Sequence, residues 1–84
     1  METRAEPAAS LRQAQGFLVE SAGTRIGVVD GLRDAARTGI PGFLIVRSGR
    51  LGRHRMMISV DDIREILPRQ KRILLQPTWM TIRI

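Results

Sequence analysis

Short apolar runs alternate with polar segments that contain glycine or proline along the middle of the chain. Three such runs occupy residues 26–32, 42–46 and 56–60, and each is bounded by Gly, Pro or Asp. Runs of this length that are rich in Val and Ile are typical of β-strands, because they are too short for an ordinary helix. The spacing of the three runs predicts an antiparallel meander.

Further strand signals flank this central block. A turn containing Gly23 ends the first of them, and Pro41 lies at the entry to a strand, because Pro lacks the N–H group that a central ladder requires. Short strands at this spacing, with turns between them, favour an all-β barrel or sandwich. We expect an all-β fold, a small antiparallel β-barrel of five to six short strands. The predicted strands are residues 16–20, 25–33, 42–46, 56–60, 73–75 and 78–84.

Two glycines in the second predicted strand favour curvature. Gly27 and Gly31 occupy the same face of that strand, where a flat sheet would carry side chains. Glycine inside a strand is typical of a bend, or of a place where another backbone approaches closely. Both occur when a small sheet curls on itself, so the glycines support the prediction of a barrel.

The apolar runs also predict the core. Residues 42–46 are the most apolar stretch, and we expect them to form a central strand that is largely covered on both faces. The side chains that the pattern places in the core are Phe17, Val19, Ile26, Val29, Leu32, Leu44, Val46, Met57, Ile63, Ile73 and Leu75.

Composition divides the chain into three segments. Residues 1–14 are polar and predict a disordered leader. Residues 15–77 form the predicted barrel-like domain. Residues 78–84 alternate, with Met80 and Ile82 on one face, and predict a C-terminal strand. Two alternatives follow for this strand: it extends its own barrel, or it pairs with a second copy or another partner by strand addition.

The charge balance adds a basic surface to this picture. The 84 residues carry a formal net charge of +6, with 13 Arg and one Lys. A GC-rich coding sequence would produce this bias, and so would selection for binding nucleic acid, anionic lipid or acidic proteins. The chain has no Cys, no apolar run long enough to span a membrane and no apolar signal segment at its start. These features predict a cytoplasmic protein.

Residues suited to catalysis or metal binding are few. His54 is the only His, and no Cys could complete a metal site beside it. Asp61 and Asp62 are adjacent, and we expect Asp61 to cap a short turn over residues 62–67. The glycine-containing segment 49–52 lacks the strand-to-helix context and the Lys-Ser/Thr pair of a nucleotide-binding loop. We therefore predict no enzyme activity, no catalytic residues, no cofactor and no metal.

The order of these motifs resembles a known family. They comprise Ile26-Gly27-x-Val29, Thr38-Gly39, the run at 43–46, Ile58-Ser59-Val60-Asp61-Asp62-Ile63 and the run at 73–75. Over residues 16–76 the chain is similar to the PRC-barrel domain, a small β-barrel found in the H subunit of photosynthetic reaction centres and in a ribosome small-subunit maturation factor. The family usually has Pro where Ser59 stands. The resemblance implies an adaptor or assembly module without an active site.

Two groups of residues are predicted to contact a partner. The segment 47–55 carries four Arg and two Gly, which predicts a solvated, mobile loop that contacts an acidic partner. The C-terminal strand supplies apolar contacts for self-association, and we expect a homo-oligomer. The predicted contact residues are Arg47, Arg50, Arg53, Arg55, Trp79, Met80 and Ile82.

These features favour a non-catalytic protein–protein interaction or assembly module. The alternative is an RNA- or ribosome-associated module that binds through its basic surface. No aromatic residue lies within the arginine-rich segment, and stacking platforms for single-stranded nucleic acid interleave the two residue types. The steepness with which salt weakens binding separates the two hypotheses.

Overall fold

The computed structural model describes residues 11–34, 41–49 and 51–82, and β-strands dominate these ranges. Two 3-10 turns, Val60–Asp62 and Pro68–Gln70, precede the fifth and sixth strands. The prediction of an all-β fold is confirmed for the described residues. Their strands are β1 (Leu18–Ser21), β2 (Thr24–Asp34), β3 (Pro41–Ser48), β4 (His54–Ser59), β5 (Ile63–Leu67), β6 (Arg72–Leu75) and β7 (Thr81–Ile82).

Hydrogen bonds join these strands into one sheet in the order β5-β6-β1-β2-β3-β4-β7. β1 and β6 run parallel, and the other neighbouring pairs run antiparallel. This mixed sheet of seven strands corrects the prediction of a purely antiparallel sheet of five to six. The parallel pair arises because the chain leaves β4, turns back through the β5–β6 hairpin and returns beside β1, at the far side of the β1–β4 meander.

The sheet has two edges in the described part of the chain, β5 at one end and β7 at the other. A closed barrel requires hydrogen bonds between the first and last strands of the sheet. The described strand pairs do not include one between β5 and β7. The observed architecture is therefore a single sheet, and the barrel stays a prediction.

Strand β5 occupies residues that the sequence predicted to form a capped turn. Its apolar residues Ile63, Ile66 and Leu67 follow the three- and four-residue spacing of a helical face. The pairing with β6 shifts register between Ile63 and Glu65. An extra residue at such a bulge breaks the two-residue alternation of a strand, so the sequence pattern imitates a helical turn.

One face of the sheet carries the hydrophobic core. Leu44, Ile58 and Ile73 are fully buried there and come from β3, β4 and β6. Ile58 was not among the predicted core residues, although its neighbour in sequence, Met57, was. The predicted core residues are otherwise buried, with three exceptions that are partly buried and pack against the core: Ile26, Leu32 and Ile63.

The residues just before β1 also pack onto this core. Leu11 and Ala14 are 3% and 0% exposed, although the sequence assigned residues 11–14 to a disordered leader. The Ala14 N–H donates to the Leu11 carbonyl at 3.0 Å, and the Phe17 N–H donates to the Ala14 carbonyl at 2.9 Å. Two buried side chains and a hydrogen-bonded turn place this segment with the folded domain. Residues 1–10 of the predicted leader lie outside the described residues.

Strand β2 carries an extra residue at two bulges, and a third shift in its pairing lies between Arg33 and Asp34. Its pairing shifts by one residue at Ile26, opposite β1, and again at Asp30, opposite β3. An extra residue in one strand moves the residues that follow to the other face of the sheet. This is why Val29 and Leu32, three residues apart, both lie opposite core residues of β3. It also places Asp30 on the face that points away from the core.

Gly27 allows β2 and β3 to come close together. A Cβ atom built at this position would lie 2.7 Å from Val46 Cγ1 and would overlap the Arg47 carbonyl oxygen. The predicted close approach of another backbone is therefore confirmed at Gly27. It is not found at Gly31, where a Cβ atom would have nothing within 4 Å.

Candidate protein-interaction face

The arginine-rich segment forms a tighter hairpin than the sequence predicted. Strands β3 and β4 extend through Arg47 and Arg55, which lie directly opposite each other. The chain reverses through Gly49 and Gly52, whose φ angles of 90° and 64° are costly for residues with a side chain. The observed turn is shorter than the predicted loop at 47–55, because an Arg that faces solvent can still belong to a paired strand.

Asp30 neutralises part of this arginine pair. Its Oδ1 atom lies 3.0 Å from Arg47 Nε, and its Oδ2 atom lies 3.6 Å from Arg55 Nε. Like charges directly opposite each other destabilise an antiparallel pair, so a shared carboxylate offsets their repulsion. The expectation of wholly solvated arginines is therefore corrected for these two, because the acidic partner comes from a different strand.

Beyond the arginine pair, the same face of the sheet becomes apolar. Ile45 lies opposite Met57, and Met57 lies opposite Ile82 of β7. Directly opposed residues share a face, and so do residues two apart along a strand. Ile45, Arg47, Arg55, Met57 and Ile82 therefore form one surface, which we call the outer face because it lies opposite the core.

Met57 is the most covered residue of the outer face. It is 9% exposed, yet it lies outside the core cluster. The Arg33 guanidinium approaches it, with Nη1 donating to the thioether Sδ at 3.8 Å. The sequence predicted Met57 as a core residue, and the residue is buried, but on the opposite side of the sheet. β3 is thus fully covered on its core face and partly covered on the outer face.

Strand β7 brings the second predicted contact group to this face. Thr81 pairs with Ile58 and Ile82 pairs with Met57, so β7 adds to its own sheet, the first of the two predicted alternatives. The described strand is shorter than the predicted range of 78–84, and residues 83–84 lie outside the described part of the chain. Because β7 ends the sheet, its second edge is unpaired among the described strands.

The predicted contacts at this end differ in accessibility. Met80 is 72% exposed and Ile82 is 39% exposed, so both are open to a partner. Trp79 is half-buried and packs against the core. We therefore assign Trp79 to holding the C-terminal segment on the domain, and only Met80 and Ile82 to the contact surface.

At the arginine end, the contact residues remain accessible despite the ion pairs. The side chains of Arg47 and Arg55 are 44% and 64% exposed, whereas that of Asp30 is 26% exposed. Arg53 is exposed in the turn of the hairpin. Arg50, the fourth predicted contact of this group, lies outside the described residues.

The paired aspartates have structural contacts. Ser59 caps the 3-10 turn after β4, because its Oγ atom accepts from the Asp61 N–H at 3.1 Å, and this corrects the predicted cap by Asp61. The Asp62 carboxylate accepts from the Met80 N–H at 3.3 Å, and its carbonyl accepts from the Gln76 N–H at 2.7 Å. Asp62 thus anchors the segment that leads into β7.

His54 has a packing role in the hairpin. It is exposed at the start of β4, and a Cβ atom at Gly49 would lie 2.7 Å from its Cδ2 atom. The imidazole therefore lies over a glycine that leaves room for it. Within the described ranges, no group of three or more His, Cys, Asp or Glu residues is placed to hold a metal ion.

A groove of about 500 Å³ lies beside the arginine end of the outer face. Sequence reasoning missed it, because its walls come from the start of β2, the end of β3 and the hairpin turn. The start of β2 is far from the other two segments in the sequence and shares no motif with them. Arg25 in particular does not belong to either of the predicted contact groups. The residues that line it include Arg25, Gly27, Arg47, Ser48, Gly49 and Gly52.

Because comparison with known proteins gave no match, a function has to be assigned from the geometry of the outer face and the groove. No protein-family model, curated protein or solved structure matches the chain. Across the described ranges, none of the helical segments has the length and apolar character needed to cross a membrane. The outer face and the groove are therefore the features from which a function is argued.

Proposed function

We propose that the chain is a non-catalytic protein–protein interaction or assembly module, located in the cytoplasm and built on a barrel of the PRC type. The motifs that resemble the PRC-barrel domain support this proposal, as do the two bulges in β2, since bulges bend and twist a sheet. The outer face is the contact surface. Its partner is a protein with acidic residues and, in self-association, a second copy of the chain.

The observation that carries the proposal is the convergence of two distant parts of the sequence on the outer face. Arg47 and Arg55 supply charge at one end, while Ile45 and Ile82 supply apolar surface at the other, on either side of the buried Met57. Protein interfaces commonly combine an apolar centre with a polar rim, and Arg and Met are enriched in them. Met80, which is highly exposed, extends the apolar end.

Electrostatics favours an acidic partner. One carboxylate, Asp30, serves two arginines on this face, and the whole chain carries a net charge of +6. Complementary charge raises the association rate more than the affinity, because exposed ion pairs contribute only about 0–1 kcal/mol each. The main stabilisation must come from the apolar end, at about 25 cal/mol for each Å² of apolar surface buried.

Capture of partners from an extract of the native cell tests this proposal. We expect the immobilised wild-type chain to retain a protein that is lost when Arg47→Gln and Arg55→Gln are combined, and also when Ile82→Asp is introduced. The matched control combines Arg64→Gln with Arg69→Gln, which removes the same charge from exposed positions on β5 and the turn after it. Equal retention by the wild type and both outer-face variants would contradict the proposal.

Self-association is tested separately by sedimentation equilibrium. A strand of two residues at the end of the sheet, with Met80 and Ile82 exposed, can pair with a second copy, and a symmetric dimer is the commonest result. We expect the wild-type chain to associate at high micromolar concentration and Ile82→Asp to shift it toward monomer. A wild-type chain that stays monomeric would remove the second copy from the proposal and leave the acidic partner.

The opposed arginines also support RNA or ribosome binding as a second candidate. Against it, none of the three aromatic side chains is exposed: Phe17 is buried, and Phe43 and Trp79 are half-buried. Without stacking, binding would depend on phosphate contacts, and its logarithm would fall with the logarithm of salt concentration by about 0.7 for each contact on single strands. An RNA shift assay at two salt concentrations decides, since no shift at low salt would exclude this candidate.

A further inference from the structure

The groove beside the outer face has the composition of an anion site. Its described lining residues are two arginines, one serine, three glycines and the apolar Ile26 and Val28, and they include no carboxylate. We propose that this groove binds a small molecule through a phosphate group, with Arg25 and Arg47 as the binding residues. This proposal does not rest on the proposed function, although Arg47 belongs to both surfaces, and Arg25, which lies outside the outer face, distinguishes them.

Arg47 can donate hydrogen bonds to a second acceptor in addition to Asp30. Its Nε atom faces Asp30 at 3.0 Å, and a guanidinium carries several further N–H donors in a planar fork. A Cβ atom at Gly52 would lie 3.3 Å from Arg47 Nη1, which is tighter than side chains normally pack. Glycine at this position therefore leaves the guanidinium space beside the groove.

Arg25 supplies the second cation from the opposite wall. It is exposed and lies opposite Glu20 in the β1–β2 pair. Glu20 is already engaged by Arg72, with which it forms an ion pair and a hydrogen bond. Glu20 thus has an arginine partner of its own in Arg72, whereas an incoming anion would compete with Asp30 for Arg47.

Size and chemistry favour a phosphate group carried by a larger molecule. A volume of about 500 Å³ falls inside the range of about 300–1,000 Å³ typical of small-molecule sites, and it exceeds what a single phosphate fills. Arginine pairs with phosphate through two parallel hydrogen bonds. The Ser48 hydroxyl supplies a neutral donor that suits a remaining oxygen, whereas the Gly52 N–H already donates to the Gly49 carbonyl at 3.2 Å.

Nuclear magnetic resonance titration of the ¹⁵N-labelled full chain tests the site. Orthophosphate, ADP and citrate are added separately at constant ionic strength. We expect saturable shifts at the amides of Gly49 and Gly52 with the two phosphate compounds. Tighter binding of ADP would indicate a phosphate carried on a larger molecule, and equal binding would indicate free phosphate. Shifts that do not saturate, or citrate that binds as tightly as ADP, would overturn the proposal.

Variants separate this site from general basicity. Arg25→Gln should weaken ADP binding about tenfold, the effect of losing one charge-assisted hydrogen bond, whereas Arg25→Lys should retain part of the affinity. Asp30→Asn should strengthen binding, because it frees Arg47. Arg64→Gln is the matched control and should change nothing. An Arg25→Gln chain that is folded and binds ADP as the wild type does would refute the assignment, without affecting partner capture through the outer face.

Discussion

Among the described residues, two regions of this sheet hold ion pairs between arginine and a carboxylate. The two sites differ in the number of arginines that share one carboxylate. Between β1 and β6, Glu20 pairs with Arg72, one acid to one base, and the Glu20 side chain is only 14% exposed. Between β2, β3 and β4, Asp30 serves both Arg47 and Arg55, and the three side chains are 26%, 44% and 64% exposed. The first site pairs one acid with one base, and we call it the balanced site, although the exposed Arg25 lies opposite Glu20. At the second, unbalanced site, one carboxylate is shared by two arginines that are more exposed than Arg72.

The difference separates a structural contact from a binding surface. Glu20 and Arg72 join the only parallel pair among the described strands, where the chain closes a long connection without a tight turn. An ion pair that is partly shielded from water is costly to break, because one charge then loses its partner. The surplus on the outer face contributes little to stability, and since Asp30 faces the two arginines through their Nε atoms, each guanidinium keeps N–H donors for an external acid.

Leu44→Ala tests how much the hydrophobic core, on which both regions depend, contributes to stability. Leu44 is fully buried in β3, and removing its branched side chain should lower the free energy of unfolding by about 2–5 kcal/mol. For a small domain this is a large part of the total stability, which is roughly 5–15 kcal/mol for native proteins. Urea unfolding followed by circular dichroism provides the measurement. An unchanged midpoint would show that β3 is not central to the core.

Glu20→Gln breaks the balanced site. The change leaves Arg72 without its charged partner, and the buried Arg72 Nε atom has no acceptor of its own. We expect the free energy of unfolding to fall by about 1–3 kcal/mol, with partner capture unchanged. Glu65→Gln, at an exposed position of β5, is the control and should have little effect. If the two variants unfold at the same urea concentration, the Glu20–Arg72 pair does not fasten the parallel strands.

The contrast also shows what could be predicted from the sequence. The continuous apolar run at residues 42–46 identified Leu44 and Val46 as core, and both are fully buried in a strand from the middle of the sheet. Where a bulge breaks the two-residue period of a strand the pattern misleads, and β5 was mistaken for a turn for this reason. Leu11 and Ala14 were missed because two isolated apolar residues in a polar segment carry no periodicity.

The candidate site was predictable in its parts but not in its assembly. The arginines and the C-terminal apolar residues were recognised separately, from local composition. The two groups share one face of the sheet because Met57 pairs with both Ile45 and Ile82. The sequence of one segment does not indicate which residues of another strand it pairs with. Asp30 was likewise unassignable, because its role follows from a bulge that turns its side chain toward another strand's arginines.

Asp30→Asn sharpens the comparison at the unbalanced site. Removing the shared carboxylate leaves Arg47 and Arg55 opposed without compensation, and we expect a loss of about 1 kcal/mol or less, since both arginines are exposed at the surface. Binding to an acidic partner should become tighter, because the surplus of positive charge grows. Unfolding and partner titration of the same preparation check both effects. A loss of stability as large as that of Glu20→Gln would make the two sites equivalent.

The smallest stability effect is expected in the hairpin turn. Arg53→Glu should change the free energy of unfolding by about 0.5 kcal/mol or less, because Arg53 is exposed and exposed substitutions away from packed contacts are usually that mild. The association rate with an acidic partner should fall, and more steeply at low salt. Stopped-flow binding and thermal unfolding give the two readouts. A marked drop in melting temperature would mean that the turn is packed instead of solvated.

Hydroxyl-radical footprinting of the chain alone and with its captured partner tests most directly whether the outer face is the contact surface. Met80 and Ile82 are exposed in the free chain and should be oxidised there. The account predicts that both become protected in the complex, while Ile66 and Leu67 on β5, at the other end of the sheet, react as before. Protection of β5 with unchanged oxidation of Met80 and Ile82 would contradict it.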